Sequence, residues 1–315
     1  MKPFVVITDG MDARAFSGIK EDSLFEVHPK SPLTPKELKE LLPRANALVI
    51  RSATKIDREL IDSAPRLKYI IRAGEGTDHI DKLYCKEKGI AVSNTPGANN
   101  NSAAEHALAL MMSALRSIPQ AHGSMKAYKW EKSRFTGLEL WKKRVGIVGF
   151  GRIGQIVAKR LRGFETDTLF YDPFVTESPL DFCQKAKTLE EIFSTCDVVT
   201  LHTPLMEKTK NMVTASLLGL MGRNAILVNA SRGKIVNEDD LYACLKEGRL
   251  RAAAFDVFAV EPLPKDSKLM GLDNFIMTPH LGAGTEEAQR RVGQMSVMQL
   301  REFFQNDKLL NEVVV

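Results

Sequence analysis

Short apolar runs rich in valine and isoleucine alternate with helical patterns along almost all of the 315 residues. The runs lack polar alternation, which is typical of strands that are covered by helices on both faces. They fall into two series, and a chain of this length usually forms two domains. The pattern therefore predicts an α/β protein with parallel sheets, whose strands are residues 4–7, 47–50, 69–71 and 90–92 in the first series and 145–148, 168–171, 198–201, 225–228, 253–257 and 275–277 in the second.

A strongly apolar helical pattern at 102–116 separates the two series. Ser102 and Glu105 have the spacing of a capping box, which predicts that the helix begins there. The turn-rich segment 94–97 comes before this helix. We therefore place a domain boundary near residue 98.

The last helical pattern runs from about residue 285 to residue 305 and leads to Val313–Val315. These valines have no obvious strand partner in the second series, so we expect the C-terminal segment to return to the first domain. The predicted division is 1–98 plus 286–315 for the first domain and 99–285 for the second.

Composition excludes several classes of protein. Hydrophobic residues make up 44% of the chain and charged residues 26%, which is typical of globular proteins and not of disordered ones. No apolar run approaches the ~18 residues of a membrane span, and the first residues do not resemble a secretory signal. The net charge of +5 is spread along the chain, and the compact basic cluster 142–144 has no interleaved aromatic residues. We expect no membrane or nucleic-acid partner, and the mild positive charge suits small anionic ligands.

The cysteines of the chain lie far apart and form no CxxC pair; they are Cys85, Cys183, Cys196 and Cys244. This spacing argues against a zinc site or a redox dithiol and suits a reducing compartment, so we expect a cytoplasmic protein. No two potential ligands show metal-binding spacing on a common element, so we also expect no metal.

A glycine-rich motif follows the predicted strand 145–148 and opens a helical pattern; it reads Gly149-Phe150-Gly151-Arg152-Ile153-Gly154. Glycines at this spacing allow a tight turn, close approach of the backbone to a pyrophosphate, and packing of the helix on the strand. The pyrophosphate would meet the N–H groups and the positive end of the helix dipole. The motif therefore predicts a dinucleotide site in a Rossmann domain.

Asp172 ends the next predicted strand, 18 residues after Gly154. A carboxylate near this distance binds the ribose hydroxyls of NAD and repels the 2′-phosphate of NADP. No arginine follows within 173–175 to bind such a phosphate. We therefore predict NAD as the cofactor.

Polar residues follow the later strands of the second series, where open α/β sheets bind ligands. Arg232 could bind a substrate carboxylate with both arms of its guanidinium. His280 could take the hydroxyl proton as hydride leaves, and Glu261 could orient the ring and favour its protonated form. These three predicted catalytic residues suit the oxidation of a 2-hydroxy acid.

Two further strand ends are predicted to contact the cofactor. Asp256 is placed to accept a hydrogen bond from the nicotinamide amide, and Thr203 would form part of the cofactor wall beside His202. The remaining histidines have no partner that the sequence identifies; they are His28, His79, His106 and His122.

The first domain offers candidate substrate contacts at two strand ends. Gly74, Glu75 and Gly76 follow one strand and could present a nest of backbone N–H groups to a carboxylate. Arg51 and Ser52 follow another strand and could bind the far end of an anionic substrate. A structural turn for the glycines and a surface ion pair for Arg51 remain alternatives.

Together these residues resemble the NAD-dependent D-2-hydroxyacid dehydrogenase family, from about Ala47 to the end of the chain. The motifs that carry the resemblance are closest to its phosphoglycerate dehydrogenase branch; they are Arg72-Ala73-Gly74-Glu75-Gly76-Thr77-Asp78, Asn94-Thr95-Pro96, Ser102-Ala103-Ala104-Glu105, Ala230-Ser231-Arg232-Gly233, Phe255-Asp256-Val257-Phe258 and Thr278-Pro279-His280-Leu281-Gly282.

The resemblance implies two doubly wound domains, namely a discontinuous flavodoxin-like substrate domain and a Rossmann NAD-binding domain. It also implies cofactor contacts at Ala230 and Ser231 and a homodimer built on the cofactor domains. Glu75 departs from the family, which usually has a small or neutral residue there. Because the sequence stops at Val315, we expect a short form without the C-terminal regulatory domain found in many relatives.

Other functions remain open at this stage. Within the enzyme class, the alternative is a reductase of glyoxylate, hydroxypyruvate or another 2-oxo acid. A formate dehydrogenase would be expected to pair its histidine with glutamine, whereas the partner here is Glu261. NAD-sensing corepressors share this fold and could retain the catalytic residues, and a turnover assay with NADH and 2-oxo acids distinguishes them from enzymes.

Overall fold

The structure is a computed structural model that describes residues 2–314 and divides into two compact units. Unit 1 joins the segment up to Asn99 to the segment from Ala283 onward, and unit 2 is Asn100–Gly282. The sequence places the two boundaries after residues 98 and 285, and the structure places them after residues 99 and 282.

Unit 1 contains a parallel sheet with strand order β2-β1-β3-β4-β5 in the described part of the chain. This order is that of flavodoxin-like folds. Val5 and Leu48, which lie on opposite faces, are both fully buried because helices cover both faces of the sheet. The elements are β1 (Phe4–Ile7), α1 (Ala13–Lys20), β2 (Glu26–Val27), α2 (Pro35–Leu41), β3 (Ala47–Ile50), α3 (Arg58–Asp62), β4 (Tyr69–Arg72), α4 (Lys82–Glu87) and β5 (Ala91–Asn94).

Unit 2 contains a second parallel sheet, with order β12-β11-β10-β9-β6-β7-β8. The order reverses beside β6, as in Rossmann folds, so both predicted sheet types are confirmed. The elements are α5 (Asn100–Arg116), α6 (Ile118–Lys126), β6 (Arg144–Val148), α7 (Arg152–Leu161), β7 (Asp167–Tyr171), β8 (Cys183–Lys185), α8 (Leu189–Thr195), β9 (Val198–Leu201), α9 (Ala215–Leu218), β10 (Ile226–Asn229), α10 (Glu238–Lys246), β11 (Ala252–Phe255) and β12 (Phe275–Met277).

The last helix, α11 (Glu286–Asn306), packs in unit 1. Thr285 caps it by accepting a hydrogen bond from the Ala288 N–H. Phe303 stacks on Tyr69 of β4 with ring centroids 4.2 Å apart. The Val313 N–H then donates to the Val92 carbonyl, while Val315, part of the predicted terminal segment, lies outside the described residues.

Two details differ from the sequence predictions. Helix α5 begins at Asn100, so Ser102 lies buried inside the helix and the predicted capping box is wrong; Glu105 instead pairs with Arg160 at 2.7 Å. The edge strands β2 and β8 were not predicted, because two or three residues are too few to give a strand pattern. Across residues 2–314, no helix combines the length and the apolarity that a bilayer crossing requires.

Candidate active site

The glycine turn between β6 and α7 contains two kinds of glycine. A Cβ built on Gly149, whose φ is +91°, would lie 2.6 Å from the His202 carbonyl oxygen. A Cβ on Gly154 would lie 2.2 Å from the Gly149 carbonyl oxygen. A Cβ on Gly151 meets no described atom within 4 Å. Packing therefore requires glycine at positions 149 and 154, whereas Gly151 leaves open space at the start of the helix.

The groups around this open space fit a dinucleotide. Gly151 is the N-cap of α7 and no described side chain caps that end, so the first N–H groups can receive a pyrophosphate. Each carboxylate oxygen of Asp172 accepts one backbone N–H at 2.8 Å, from Phe150 and from Phe174, and keeps acceptor capacity for ribose hydroxyls. The buried Thr203 Oγ1 has no hydrogen-bond partner among residues 2–314.

The other predicted cofactor contacts lie at the ends of neighbouring elements. Arg152 is exposed and Ile153 half-buried in the first turn of α7. Ala230 and Ser231 directly follow β10, where the Ser231 hydroxyl and N–H both donate to the Asn229 side-chain oxygen. The positions agree with the sequence analysis, and the contacts themselves stay predictions.

His202 forms the opposite wall of the glycine turn. Its Nε2 lies 2.9 Å from Thr200 Oγ1, and burial lowers its pKa to about 4, so the ring is neutral at pH 7. No group of three or more possible metal ligands occurs in the described range 2–314.

His280 and Glu261, two of the predicted catalytic residues, are in direct contact. The His280 Nδ1 lies 2.7 Å from Glu261 Oε2, and the other carboxylate oxygen accepts the Phe258 N–H at 3.0 Å. Burial opposes ionisation of Glu261, but these hydrogen bonds outweigh burial and hold its pKa below the ordinary value. The ionised carboxylate makes Nδ1 the donor, so His280 Nε2 is left as the atom that can exchange a proton with a substrate.

The backbone of His280 is held in an uncommon conformation. Its φ is +54°, which few residues other than glycine adopt. The His280 N–H donates to the carbonyls of Asp256 at 2.9 Å and Thr278 at 3.0 Å. The surrounding loop therefore fixes the direction in which the imidazole projects.

Arg232 lies in a loop that packs against the loop of Glu261. Its Nη1 donates to the Ser231 carbonyl at 2.7 Å, and its own carbonyl accepts from the Asn229 amide at 2.9 Å. A Cβ on Gly233 would lie 1.8 Å from the Phe258 carbonyl oxygen, so the two loops touch through their backbones. The structure thereby brings the loops of the three predicted catalytic residues together in unit 2.

Asp256 has an environment that the sequence analysis does not foresee. It is 1% exposed, and its carboxylate contacts Thr278 Oγ1 at 2.6 Å, Leu281 N at 2.7 Å, Gly282 N at 2.8 Å and His106 Nε2 at 3.1 Å. Burial opposes its ionisation, but these donors lower its pKa below the ordinary value. The predicted contact with nicotinamide stays a prediction.

His106 is the unit 2 residue that sequence reasoning missed. Its position on α5 lies three and four residues from Ala103 and Leu110, both buried, so helical spacing could have placed it on the inner face. An imidazole on a buried face needs a polar partner. That requirement could have indicated a buried carboxylate, such as Asp256, as the partner of His106.

In unit 1, Arg51 follows β3 and is anchored through its backbone. Asp9 accepts the N–H of Arg51 at 2.6 Å and that of Thr54 at 3.1 Å. Burial lowers the pKa of the half-buried Arg51 guanidinium, and the Asp9 charge opposes this shift. Ser52 is exposed beside it.

The segment after β4 differs from the predicted nest. The Gly74 N–H donates to the Arg72 carbonyl at 2.9 Å and so is not offered to a substrate. A Cβ on Gly74 would lie 1.4 Å from Arg72 Nη1, which means that the missing side chain makes room for that guanidinium. The Glu75 carboxylate accepts the Gly97 N–H at 3.3 Å, and Gly76 is half-buried next to it. Arg72 is thus a second cation that the sequence analysis does not single out.

Comparison with known proteins agrees with this geometry. Residues 108–282 match the family model "D-isomer specific 2-hydroxyacid dehydrogenase, NAD binding domain". The chain is 42% identical to D-3-phosphoglycerate dehydrogenase of Methanocaldococcus jannaschii, over 98% of this chain and 59% of the relative. It is also 42% identical to hydroxypyruvate reductase of Thermotoga maritima, over 92% of this chain and 94% of the relative.

Among solved structures, the TT0316 protein from Thermus thermophilus superposes with a TM-score of 0.90 at 33% identity, covering 99% of this chain and 100% of that one. The chain spans less than 60% of the length of the phosphoglycerate dehydrogenase relatives. The likeness nevertheless extends through both units. On the sequence match, the fold and the residues at the strand ends, this chain belongs to the D-isomer specific 2-hydroxyacid dehydrogenase family.

Proposed function

We propose that the chain oxidises a D-2-hydroxy acid, or reduces the corresponding 2-oxo acid, with NAD(H) as cofactor. The observation that carries this proposal is the 2.7 Å contact between His280 and the ionised Glu261. When bound at the glycine turn, NAD would supply the hydride acceptor. His280 Nε2 takes the hydroxyl proton, Glu261 stabilises the resulting imidazolium, and Arg232 binds the substrate carboxylate.

The favoured substrate is D-3-phosphoglycerate. Arg51 follows β3 and Arg72 ends the adjacent strand β4, so the two residues supply two guanidinium groups for a phosphate, with the Ser52 hydroxyl as a further donor. The missing side chain of Gly74 makes room for the Arg72 guanidinium. Gly76 remains a proposed backbone contact. The phosphoglycerate dehydrogenase relatives support the same choice.

Hydroxypyruvate or glyoxylate is the second candidate, and Glu75 is the observation that favours it. A carboxylate in the segment beside Arg72 repels a phosphorylated acid and does not affect an uncharged hydroxymethyl group. The Thermotoga maritima relative, which this chain matches nearly end to end, is a hydroxypyruvate reductase.

Initial rates with NADH separate these candidates. We expect the highest kcat/KM with 3-phosphohydroxypyruvate, followed by hydroxypyruvate, glyoxylate and pyruvate. A higher value for hydroxypyruvate assigns the small-acid reductase, and no turnover with any of these acids overturns the enzyme proposal in favour of a corepressor-like protein.

For the assembly, we propose a homodimer through unit 2. Tyr128 and Trp130, between α6 and β6, are 100% and 80% exposed, and Met125 is exposed nearby. Three large apolar side chains exposed within one short segment are typical of a surface that another subunit covers, whereas single exposed aromatic residues are common on monomers. Light scattering should give a dimer mass that Trp130→Glu lowers, whereas Phe174→Glu, a charge at another exposed aromatic position, should leave it unchanged.

For the compartment, we propose the cytoplasm. The cysteines are free and buried, at Cys85, Cys183, Cys196 and Cys244, which suits a reducing environment. Fluorescence of a tagged protein in its own host, with fractionation as a control, tests this placement.

A further inference from the structure

The buried Asp256 holds the His280 loop on both sides of the histidine. Its carbonyl accepts the His280 N–H, while its carboxylate accepts from Thr278 before the histidine and from Leu281 and Gly282 after it. A buried carboxylate with several donors is a rigid anchor, because losing any partner leaves charge unsolvated.

His106 completes this anchor from a different element. Thr278 Oγ1 lies 2.6 Å from Asp256 Oδ1 and gives that oxygen its single proton. The Thr278 hydroxyl therefore has no second proton to donate to His106, whose Nε2 lies 2.9 Å from Thr278 Oγ1 and 3.1 Å from Asp256 Oδ1. The hydrogen must be on His106 Nε2, which donates to these two oxygens.

Helix α5 makes His106 a stable support. The helix buries its neighbouring residues Ala103, Ala107 and Leu110 in unit 2, and the His106 side chain is 18% exposed. A side chain on a packed helix loses little further freedom when it binds the loop. The donor from His106 thus ties the loop to an element outside the strand ends.

On the proposed dehydrogenase function, we propose that His106 is a positioning residue, which acts through Asp256 and Thr278 to hold His280 at its reactive position. His106 itself contacts no reacting atom. Its contribution is the orientation of the base, so its loss should lower kcat and leave cofactor binding unchanged.

The surroundings allow this residue to be replaced without overpacking. His106 and Thr278 border a cavity of about 480 Å³, together with Ser113, Gln120 and Met277. Glutamine can place its amide nitrogen near the position of His106 Nε2 and keep the donor, whereas leucine fills similar space without it. His106→Gln and His106→Leu therefore form a matched pair.

We would measure kcat, KM and the NADH Kd for both variants, alone and combined with His280→Ala. His106→Leu should lower kcat about 10- to 100-fold, the size of a lost hydrogen bond to a charged group. The NADH Kd should change less than twofold, and His106→Gln should recover most of the rate. In the His280→Ala background, His106→Leu should cost nothing further, because the group it positions is gone.

Amide hydrogen exchange at Leu281 and Gly282 gives a readout that does not depend on turnover. His106→Leu should speed exchange there and His106→Gln should not. If wild type turns over no 2-oxo acid, the proposed function fails while this readout still tests the anchor. An equal loss in both backgrounds, an unchanged kcat, or unchanged exchange overturns the positioning role. If His106→Leu does not fold, Thr278→Val removes a donor of the same anchor and takes its place.

Discussion

The two sheets offer the same kind of crevice and use it differently. In each sheet the strand order reverses once, between β1 and β3 in unit 1 and between β6 and β9 in unit 2, and such points open a crevice at the carboxyl ends of the strands. In unit 1 the Asp9 carboxylate lies at this place, where it accepts the N–H groups of Arg51 and Thr54 and lines an open pocket of about 360 Å³. In unit 2 Gly151 leaves it open.

This difference shows that topology supplies a crevice and that single residues decide which groups the crevice presents to a ligand. In unit 1 a carboxylate at the strand end binds the chain's own N–H groups. The groups that remain to bind an anion there are guanidinium groups beside the crevice. A glycine at the corresponding place leaves helix N–H groups for an external anion. Each of the following changes tests one side of this comparison.

Replacing His280 by alanine should have the largest effect. It removes the proton acceptor and should lower kcat about 10²- to 10⁴-fold. The NADH Kd should stay within twofold, because the glycine turn is untouched. Stopped-flow and equilibrium fluorescence measure the two quantities, and wild-type turnover in a folded His280→Ala protein would refute the assignment of the base.

Filling the open crevice of unit 2 should come next. Gly151→Val places a side chain in the free space and should weaken NADH binding about 10- to 100-fold, the cost of lost charge-assisted hydrogen bonds, with an unchanged melting temperature. Gly154→Ala collides with the Gly149 carbonyl and should destabilise the fold by about 1–3 kcal/mol. Calorimetry measures the melting temperature and fluorescence titration the NADH affinity. Equal changes of both quantities in the two variants would contradict the distinction between Gly151 and Gly154.

On the unit 1 side, Arg51→Ala should penalise the phosphorylated substrate. A lost charge-assisted hydrogen bond lowers kcat/KM for 3-phosphohydroxypyruvate about 10- to 100-fold and that for glyoxylate far less. The exposed Lys39→Ala removes the same charge from unit 1 and serves as the control. Equal losses for both acids in Arg51→Ala would favour the small-acid reductase.

Asp172→Ala should change cofactor choice by a smaller amount. It removes acceptors for the ribose hydroxyls and the charge that opposes a 2′-phosphate, so the NAD to NADP ratio of kcat/KM should fall about 10-fold, the lower end of the range for a lost hydrogen bond to a charged group. Steady-state rates with both cofactors measure it. A wild type that already prefers NADP would be incompatible with the proposed role of Asp172.

The smallest expected effect concerns acid stability. Because burial holds the pKa of His202 at about 4, the unfolded chain takes up a proton between pH 6.5 and 4 that the fold does not. This stability is complete above pH 6.5 and is lost as the pH falls. His202→Gln should reduce the drop in melting temperature between pH 7 and pH 4.5 by a few degrees. A drop of the same size in wild type and in His202→Gln would exclude His202 as the cause.

Much of unit 2 could be predicted because its signals are contiguous. The glycine motif, Asp172 and the strand-end positions of Arg232 and His280 each follow from a pattern within one strand and its loop. The contact of Glu261 with His280 needed only the rule that neighbouring strand ends converge.

The residues that sequence reasoning missed depend on contacts between distant segments. His106 meets Asp256 across 150 positions of the chain, and no local pattern encodes that distance. The spacing of Gly74 and Gly76 predicts a nest of backbone N–H groups. The structure differs because glycine spacing does not reveal which side chain fills the space beside Gly74. That side chain belongs to Arg72, which the sequence presents only as one letter of a motif at the end of a buried strand.

The return of α11 to unit 1 has a consequence for biosynthesis. Unit 2 lies within one continuous segment, whereas unit 1 needs residues from both sides of it. At ~5–20 residues per second, translation takes about 10–40 s to go from the end of β5 to the start of α11. Throughout that interval Tyr69 lacks the ring of Phe303 that covers it. Unit 2 can fold first although it is not the first to be made, and the nascent sheet of unit 1 is the surface that a chaperone would have to protect.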